Sequence, residues 1–168
     1  MIRHPDPLAG GGPFELETKG MPRQTRRSLP IALLRAREAV MSKFRPMLAR
    51  HDINEQQWRV IRMLGEHGEL DASQLAEKAL VLAPSLTRMI RTLEKARLIV
   101  KRKDKGDKRR TLVSISAKGR SLINEVAPES AEIYSELQNK FGKAEMERLL
   151  DLLESVIEQC GTPESAPL

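Results

Sequence analysis

Apolar positions in the middle of the chain repeat with a helical period. Leu86, Met89, Ile90 and Leu93 fall at i, i+3, i+4 and i+7 and predict a short helix opening at Ala83. Pro84 sits in its first turn, where a missing N–H costs nothing. Arg88, Arg91 and Lys95 then lie on the face opposite the stripe, with Ser85 and Thr92 on its flank. Leu98-Ile99-Val100 is strand-like, a basic turn surrounds Gly106, and Thr111 to Ser116 reads as a second strand. A cationic helix followed by a cationic hairpin is the order a winged helix-turn-helix requires.

The flanking pattern is helical on both sides. A first helix is predicted from a Ser28 cap to about Arg50, with an apolar face of Leu33, Leu34, Val40, Met41, Phe44, Met47 and Leu48 and a kink expected at Pro46. Asn54 with Gln57 three positions on reads as a capping box opening a second helix to about Glu66. Gly68-Glu69-Leu70 reads as a turn, and Asp71 or Ser73 caps a short third helix. Leu80-Val81-Leu82 leads into the cationic helix. Ser116 caps a fifth helix bearing Leu122, Val126, Ile133 and Leu137, with Pro128 a kink, until Gly142-Lys143. Met146, Leu149, Leu150, Leu153, Val156, Ile157 and Cys160 mark the last helix. The fold class is mainly α with a small β-hairpin wing: a winged helix-turn-helix flanked by N- and C-terminal dimerisation helices. The boundaries read as a disordered tail over 1–27, a dimerisation helix over 28–53, the DNA-binding region over 54–116, C-terminal dimerisation helices over 117–160 and a tail over 161–168. Arg23, Arg26 and Arg27 make the first tail either a DNA-touching arm or merely a solvated one.

Composition sharpens this picture in three ways. Aromatics are only 3% of the 168 residues, so aliphatic side chains must build the core, which favours packed helices. The net charge is +6. The stretch from Arg97 to Arg110 holds eight Lys or Arg against Asp104 and Asp107, so it alone matches the excess of the whole chain. That focus points to an anionic partner, and double-stranded DNA fits it better than a membrane surface, because the basic segment is mostly hairpin. No apolar run is long enough to span a bilayer, no secretory signal is evident, and one cysteine fits a reducing cytoplasm. His4, His51 and His67 are scattered, so no metal site is expected. No nucleophile–base pair or phosphate loop suggests an enzyme, and no cofactor is expected.

Three stretches resemble the MarR family of bacterial transcription regulators: LTRMIRTLEKARLI (Leu86–Ile99), the D-x-R of Asp107-Lys108-Arg109, and VSISAKG (Val113–Gly119), where that family runs a strand into an (S/T)-x-x-G helix start. The resemblance spans about Ser28 to Ile157. It implies that Arg109 enters a minor groove from the wing tip with Asp107 holding it, and that Ser85, Thr87, Arg88 and Arg91 face the major groove. Many members carry Gly where this chain has Arg97, so a left-handed backbone there would be strained. IALLRAREAVMSKFRPMLARH and INEQQWRVIRML resemble one subgroup, the regulators of homoprotocatechuate degradation and of fatty-acid-resistance pumps.

The reading is a dimeric repressor on a pseudo-palindromic operator, released by a small carboxylic acid, aromatic or fatty. Lys95 on the helix and Lys101, Arg102, Lys103, Lys105, Lys108 and Arg110 on the wing would meet phosphates. Arg37, Arg45, Trp58 and Arg62 are candidates for the effector. Arg37 stands in the apolar stripe of the first helix, as an ion-pair member, a carboxylate clamp or a snorkelling cation. Trp58 is either core or pocket wall, and Arg62, four positions on, can stack on it. Two alternatives remain: a redox response through Cys160, and a winged helix used for protein docking.

Overall fold

The architecture comes from a computed structural model of the chain, in which residues 28–161 are described. The expectations for the tail over 1–27, including its three arginines, and for 162–168 lie outside the described residues. Six helices and three strands follow in the order α1 (Leu29–Arg50), α2 (Glu55–His67), β1 (Leu70–Asp71), α3 (Ala72–Ala79), α4 (Ala83–Lys95), β2 (Ile99–Lys103), β3 (Thr111–Ile115), α5 (Ala117–Phe141) and α6 (Lys143–Cys160). Two compact units divide the chain, one running to Ala39 and one from Val40 onward, with α1 crossing the boundary.

Local chemistry accounts for the helix starts in the second unit. Asn54 accepts the Gln57 N–H at 2.9 Å and Gln57 Oε1 accepts the Asn54 N–H at 2.9 Å, the reciprocal capping box expected for α2. Asp71, rather than Ser73, forms the equivalent box with Gln74 at α3. Ser116 Oγ accepts the Gly119 N–H at α5. Helix α4 has no side-chain cap and begins instead on Pro in its first turn. Pro46 and Pro128 do not end their helices: α1 and α5 run through them. Each proline removes one N–H from a helix of 22 or 25 residues, and the remaining ladder carries the element on.

The core lies where α2, α3, α4 and the sheet converge. Val60, Ile61 and Leu64 of α2, Leu75 of α3, Leu86 and Leu93 of α4, Ile99 of β2 and Val113 of β3 are all fully buried. The α4 stripe is inside as its spacing requires, with Met89 and Ile90 completing it. The wing hairpin pairs antiparallel from Ile99↔Ile115 to Lys103↔Thr111. Leu70, read from sequence as the last residue of a Gly68-Glu69-Leu70 turn, instead forms with Asp71 a third strand paired with β3 through Leu70↔Val113 and Asp71↔Leu112. Two residues are too few to show a period of two, so local pattern could not separate strand from turn. At the far end of α1, Glu129 of α5 takes Arg50 and, at 2.9 Å, His51 Nε2. The Arg50 and His51 hydrogen bonds hold the Glu129 carboxyl below the usual carboxylate range.

Arg97 closes α4 with φ of +62°, so of the two endings the sequence left open the left-handed one is taken. Its N–H donates to the Glu94 carbonyl at 2.8 Å and its carbonyl accepts Ser116 Oγ at 2.7 Å, so the conformation is fixed from both sides. A side chain at such a φ costs about 1–2 kcal/mol, part of which Gly returns through greater freedom in the unfolded chain. Arg97→Gly is therefore expected to stabilise the protein by about 0.5–1 kcal/mol, read as a small rise in Tm by thermal melting. A fall in Tm contradicts the strain argument.

Candidate nucleic-acid interface

Helix α4 and the wing present the basic surface. With Leu86, Met89, Ile90 and Leu93 turned inward, Ser85, Thr87, Arg88, Arg91 and Lys95 are all exposed on α4. The Thr87 hydroxyl donates back to the Ala83 carbonyl at 3.1 Å, which leaves its oxygen as an acceptor. Beside α4 is a shallow polar concavity of about 340 Å³, where Asn54, Gln56 and Gln57 of the α2 start meet Ser85, Arg88 and Thr92. The α2 residues were absent from the sequence-based candidates. They lie some thirty positions away from α4 in the chain, and only the packing of α2 on the core brings them there.

The wing turn is built by its two aspartates: sequence reading gave Asp107 the role of holding Arg109, by resemblance, and treated Asp104 only as a charge offset. Asp104 Oδ1 accepts the Gly106 N–H at 2.7 Å and the Asp107 N–H at 3.3 Å, and these backbone bonds hold its carboxyl below the usual range. Asp107 Oδ1 accepts the Arg109 N–H at 3.0 Å and Arg109 Nε at 3.3 Å. The Arg109 side chain is 94% exposed, so it stands out from the turn while its base is held by Asp107.

The remaining wing cations divide into two groups. Lys103 Nζ donates to Thr111 Oγ1 at 3.2 Å, and Lys105 and Lys108 stand exposed on the turn. Lys101, Arg102 and Arg110 instead reach carboxylates on other elements. Lys101 Nζ is 2.6 Å from Glu94 of α4, Arg102 Nε donates to Glu69 at 2.6 Å, and Arg110 pairs with Asp71. The hydrogen bonds to Glu69 and Asp71 raise the Arg102 and Arg110 guanidinium pKa values above the ordinary arginine value.

The effector candidates are more scattered. Arg37 lies in the first unit, exposed, with Glu38 at 2.9 Å. In the second unit Trp58 is half-buried against the core, Arg45 is 3.5 Å from Glu55, and Arg62 reaches Glu66 at 2.6 Å one turn on. The expected Trp58–Arg62 stack gives way to this ion pair, since an i,i+4 carboxylate competes directly for the guanidinium. A separate cleft of about 270 Å³ between α1 and α5 has an apolar floor of Met47, Ile133 and Leu137 rimmed by Lys43, Arg50 and Lys140. None of the four candidates lines it.

Comparison with known proteins fits this geometry. The MarR family pattern matches residues 53–111, from the turn before α2 to the first residue of β3. The chain is 42% identical over 134 residues to the HTH-type transcriptional regulator FarR of Neisseria gonorrhoeae, covering 79% of this chain and 92% of that protein.

The chain belongs to the MarR family.

It is also 40% identical over 130 residues to the homoprotocatechuate degradative operon repressor of Escherichia coli, covering 77% of this chain and 88% of the repressor. The crystal structure of NadR in complex with 4-hydroxyphenylacetate superposes with a TM-score of 0.70 at 42% identity, covering 81% of this chain and 97% of NadR. In this MarR-family chain the α3–α4 pair is therefore the helix-turn-helix and β2–β3 the wing. Among the described residues no helix is long and apolar enough to cross a membrane, and no group of three His, Cys, Asp or Glu is placed to hold a metal.

Proposed function

We propose that this MarR-family chain is a dimeric, operator-binding transcriptional repressor that a small aromatic carboxylic acid releases from DNA. The observation that carries the DNA-binding part is the pairing of an exposed α4 face (Ser85, Thr87, Arg88, Arg91, Lys95) with a wing whose Arg109 is held at its base by Asp107 and exposed beyond it. Arg88 and Arg91 can each make bidentate bonds to a guanine edge, while Lys103, Lys105, Lys108 and the start of α2 meet phosphates. Helix α6 and the distal half of α5 support the dimer. Tyr134, Phe141, Leu149, Leu150, Leu152 and Ile157 are exposed there, more large apolar surface than a lone chain commonly leaves in water. A second copy covering it would place two α4 helices on half-sites about one DNA turn, ~34–36 Å, apart.

The aromatic acid follows from the relatives: one is a repressor of a homoprotocatechuate degradative operon and another binds 4-hydroxyphenylacetate. In this chain Trp58 offers a half-buried aromatic wall, with Arg45 and Arg62 as cations for the carboxylate. Such an acid must bind the DNA-incompetent arrangement more tightly than the competent one, or it shifts nothing. The test is a titration of hydroxylated phenylacetates and medium-chain fatty acids into the protein–operator complex, followed by fluorescence anisotropy. Release by a phenylacetate, with the midpoint moved at least roughly tenfold in Arg62→Ala and Trp58→Ala, supports the assignment, as expected when a charge-assisted bond or an aromatic wall is removed. Arg37→Ala tests the remaining sequence candidate in the same titration. Release only by fatty acids, or by none, removes the aromatic-acid reading.

Cys160 is exposed in the chain, at the last residue of α6. If peroxide alters DNA binding in the wild type and not in Cys160→Ser, the trigger is oxidation rather than an acid.

A further inference from the structure

Three of the seven Lys and Arg from Lys101 to Arg110 reach carboxylates on other elements of the protein. Each meets a carboxylate from a different place: Lys101 meets Glu94 on α4, Arg102 meets Glu69 before β1, and Arg110 meets Asp71 at the junction of β1 and α3. The acceptors are the more enclosed partners in the last two pairs, with the Asp71 side chain 18% exposed and Glu69 28%, against 94% for Arg109 at the tip. Asp71 does two jobs at once. One oxygen caps α3 through the Gln74 N–H and the other takes Arg110, and the Gln74 and Arg110 bonds together hold its carboxyl below the usual carboxylate range. Asp71, Leu112 and Arg102 also occupy one row across the sheet, and Arg110, just before β3, reaches back to that row through Asp71.

We propose that Asp71, Glu69 and Glu94 are positioning residues that set the wing relative to the helix-turn-helix, and that Lys101, Arg102 and Arg110 act through them and not on phosphates. Resting on the operator-binding reading above, the proposal changes what charge should do. A phosphate-contacting Arg110 would gain from losing its carboxylate partner. A positioning Arg110 loses its anchor, the wing tip wanders, and Arg109 no longer arrives at its groove with the register that α4 sets.

Asp71→Asn separates the two, because Asn caps a helix as well as Asp and only the ionic grip on Arg110 is weakened. Affinity for DNA from upstream of the protein's own gene is expected to fall roughly five- to tenfold, the size of a lost charge-assisted bond, although the variant is more positive. Binding to random DNA stays level or tightens, so the specificity ratio drops. Arg110→Gln is expected to give a similar loss with the slope of log affinity against log salt unchanged, where a lost phosphate contact lowers it by about 0.9 per phosphate. The double variant is expected to be no worse than either single one. Equal or tighter specific binding by Asp71→Asn, an equal loss on both DNAs, or a lower salt slope in Arg110→Gln overturns the proposal. Amide hydrogen exchange in the DNA-free protein decides it independently: residues 103–110 exchange faster in Asp71→Asn while α3 keeps its protection, and wild-type exchange in the wing overturns it. If the wild type shows no preference for any upstream DNA, the operator-binding reading is what fails, and the exchange comparison alone decides the positioning roles.

Discussion

Arg109→Ala is expected to weaken specific DNA binding at least roughly tenfold while leaving Tm within a degree or so of the wild type. The side chain contributes nothing to the core: it is 94% exposed and its one ionic partner, Asp107, sits two residues away on the same turn. On the proposed operator-binding reading its contribution is to the complex, where a guanidinium inserted in a narrow minor groove meets concentrated negative potential. A dimer loses two such insertions, one at each end of the operator. Asp107→Asn makes a graded companion. It keeps an oxygen for the Arg109 N–H at 3.0 Å but weakens the charge-assisted bond to Nε at 3.3 Å, so a smaller loss is expected. Anisotropy titrations of both variants on one duplex provide the check. Wild-type affinity in Arg109→Ala contradicts the assignment of 99–115 as a DNA-contacting wing.

The largest expected effect on stability lies at Gly119. Its position in the first turn of α5 presses on the end of β2: a Cβ built there lands on the backbone carbonyl of Leu98 and within 2.7 Å of Ile115 Cγ1. The Leu98 carbonyl cannot yield, because it accepts the Ser116 N–H at 3.1 Å, and the neighbouring Arg97 is already in the left-handed region. Gly119→Ala is expected to cost about 2–3 kcal/mol as an overpacking change, lowering Tm by roughly 5–10 °C. Gly65 gives an internal control. A Cβ there meets the far end of the Ile123 side chain at 2.8 Å, which can rotate away, and Ala suits a helical position in α2 better than Gly. Gly65→Ala is therefore expected to be neutral or slightly stabilising. Equal melting temperatures for the two variants contradict the close-approach argument.

Helix α4 and the wing show where sequence reading succeeds and where it stops. Leu86, Met89, Ile90 and Leu93 announce α4 because a helix repeats every 3.6 residues and its apolar stripe must be buried. Asn54–Gln57 and Ser116 announce helix starts because capping is a contact between residues three apart. What depends on distant partners was not legible. Asp71 was one of two candidate caps with Ser73, but its bond to Arg110 joins residues 39 apart in the chain, and nothing local marks it. Lys101, Arg102 and Arg110 therefore read as part of one undifferentiated basic patch with Lys105 and Lys108. The strand at Leu70-Asp71 exists only because β3 is there to pair with it. The left-handed backbone at Arg97 was reached through resemblance to relatives with Gly, since the residue type alone argues against it. The effector site was the least legible part. Arg45 and Arg62 each have a carboxylate neighbour in the chain, at Glu55 and Glu66, and periodicity says nothing about which ion pairs a ligand can displace.

The most direct test of the account is fluorescence anisotropy of the full-length protein on duplexes from upstream of its own gene and on random DNA of the same length, each at about 50 and 200 mM salt. The account predicts one duplex bound at least roughly a thousandfold more tightly than random DNA, with both affinities falling as salt rises. It further predicts that the preference narrows in Arg88→Ala and Arg91→Ala, as expected for side chains that read base edges. Weak binding of every upstream duplex, equal to random DNA and abolished by salt, would contradict it: the basic surface of α4 and the wing would then bind phosphates without reading a sequence.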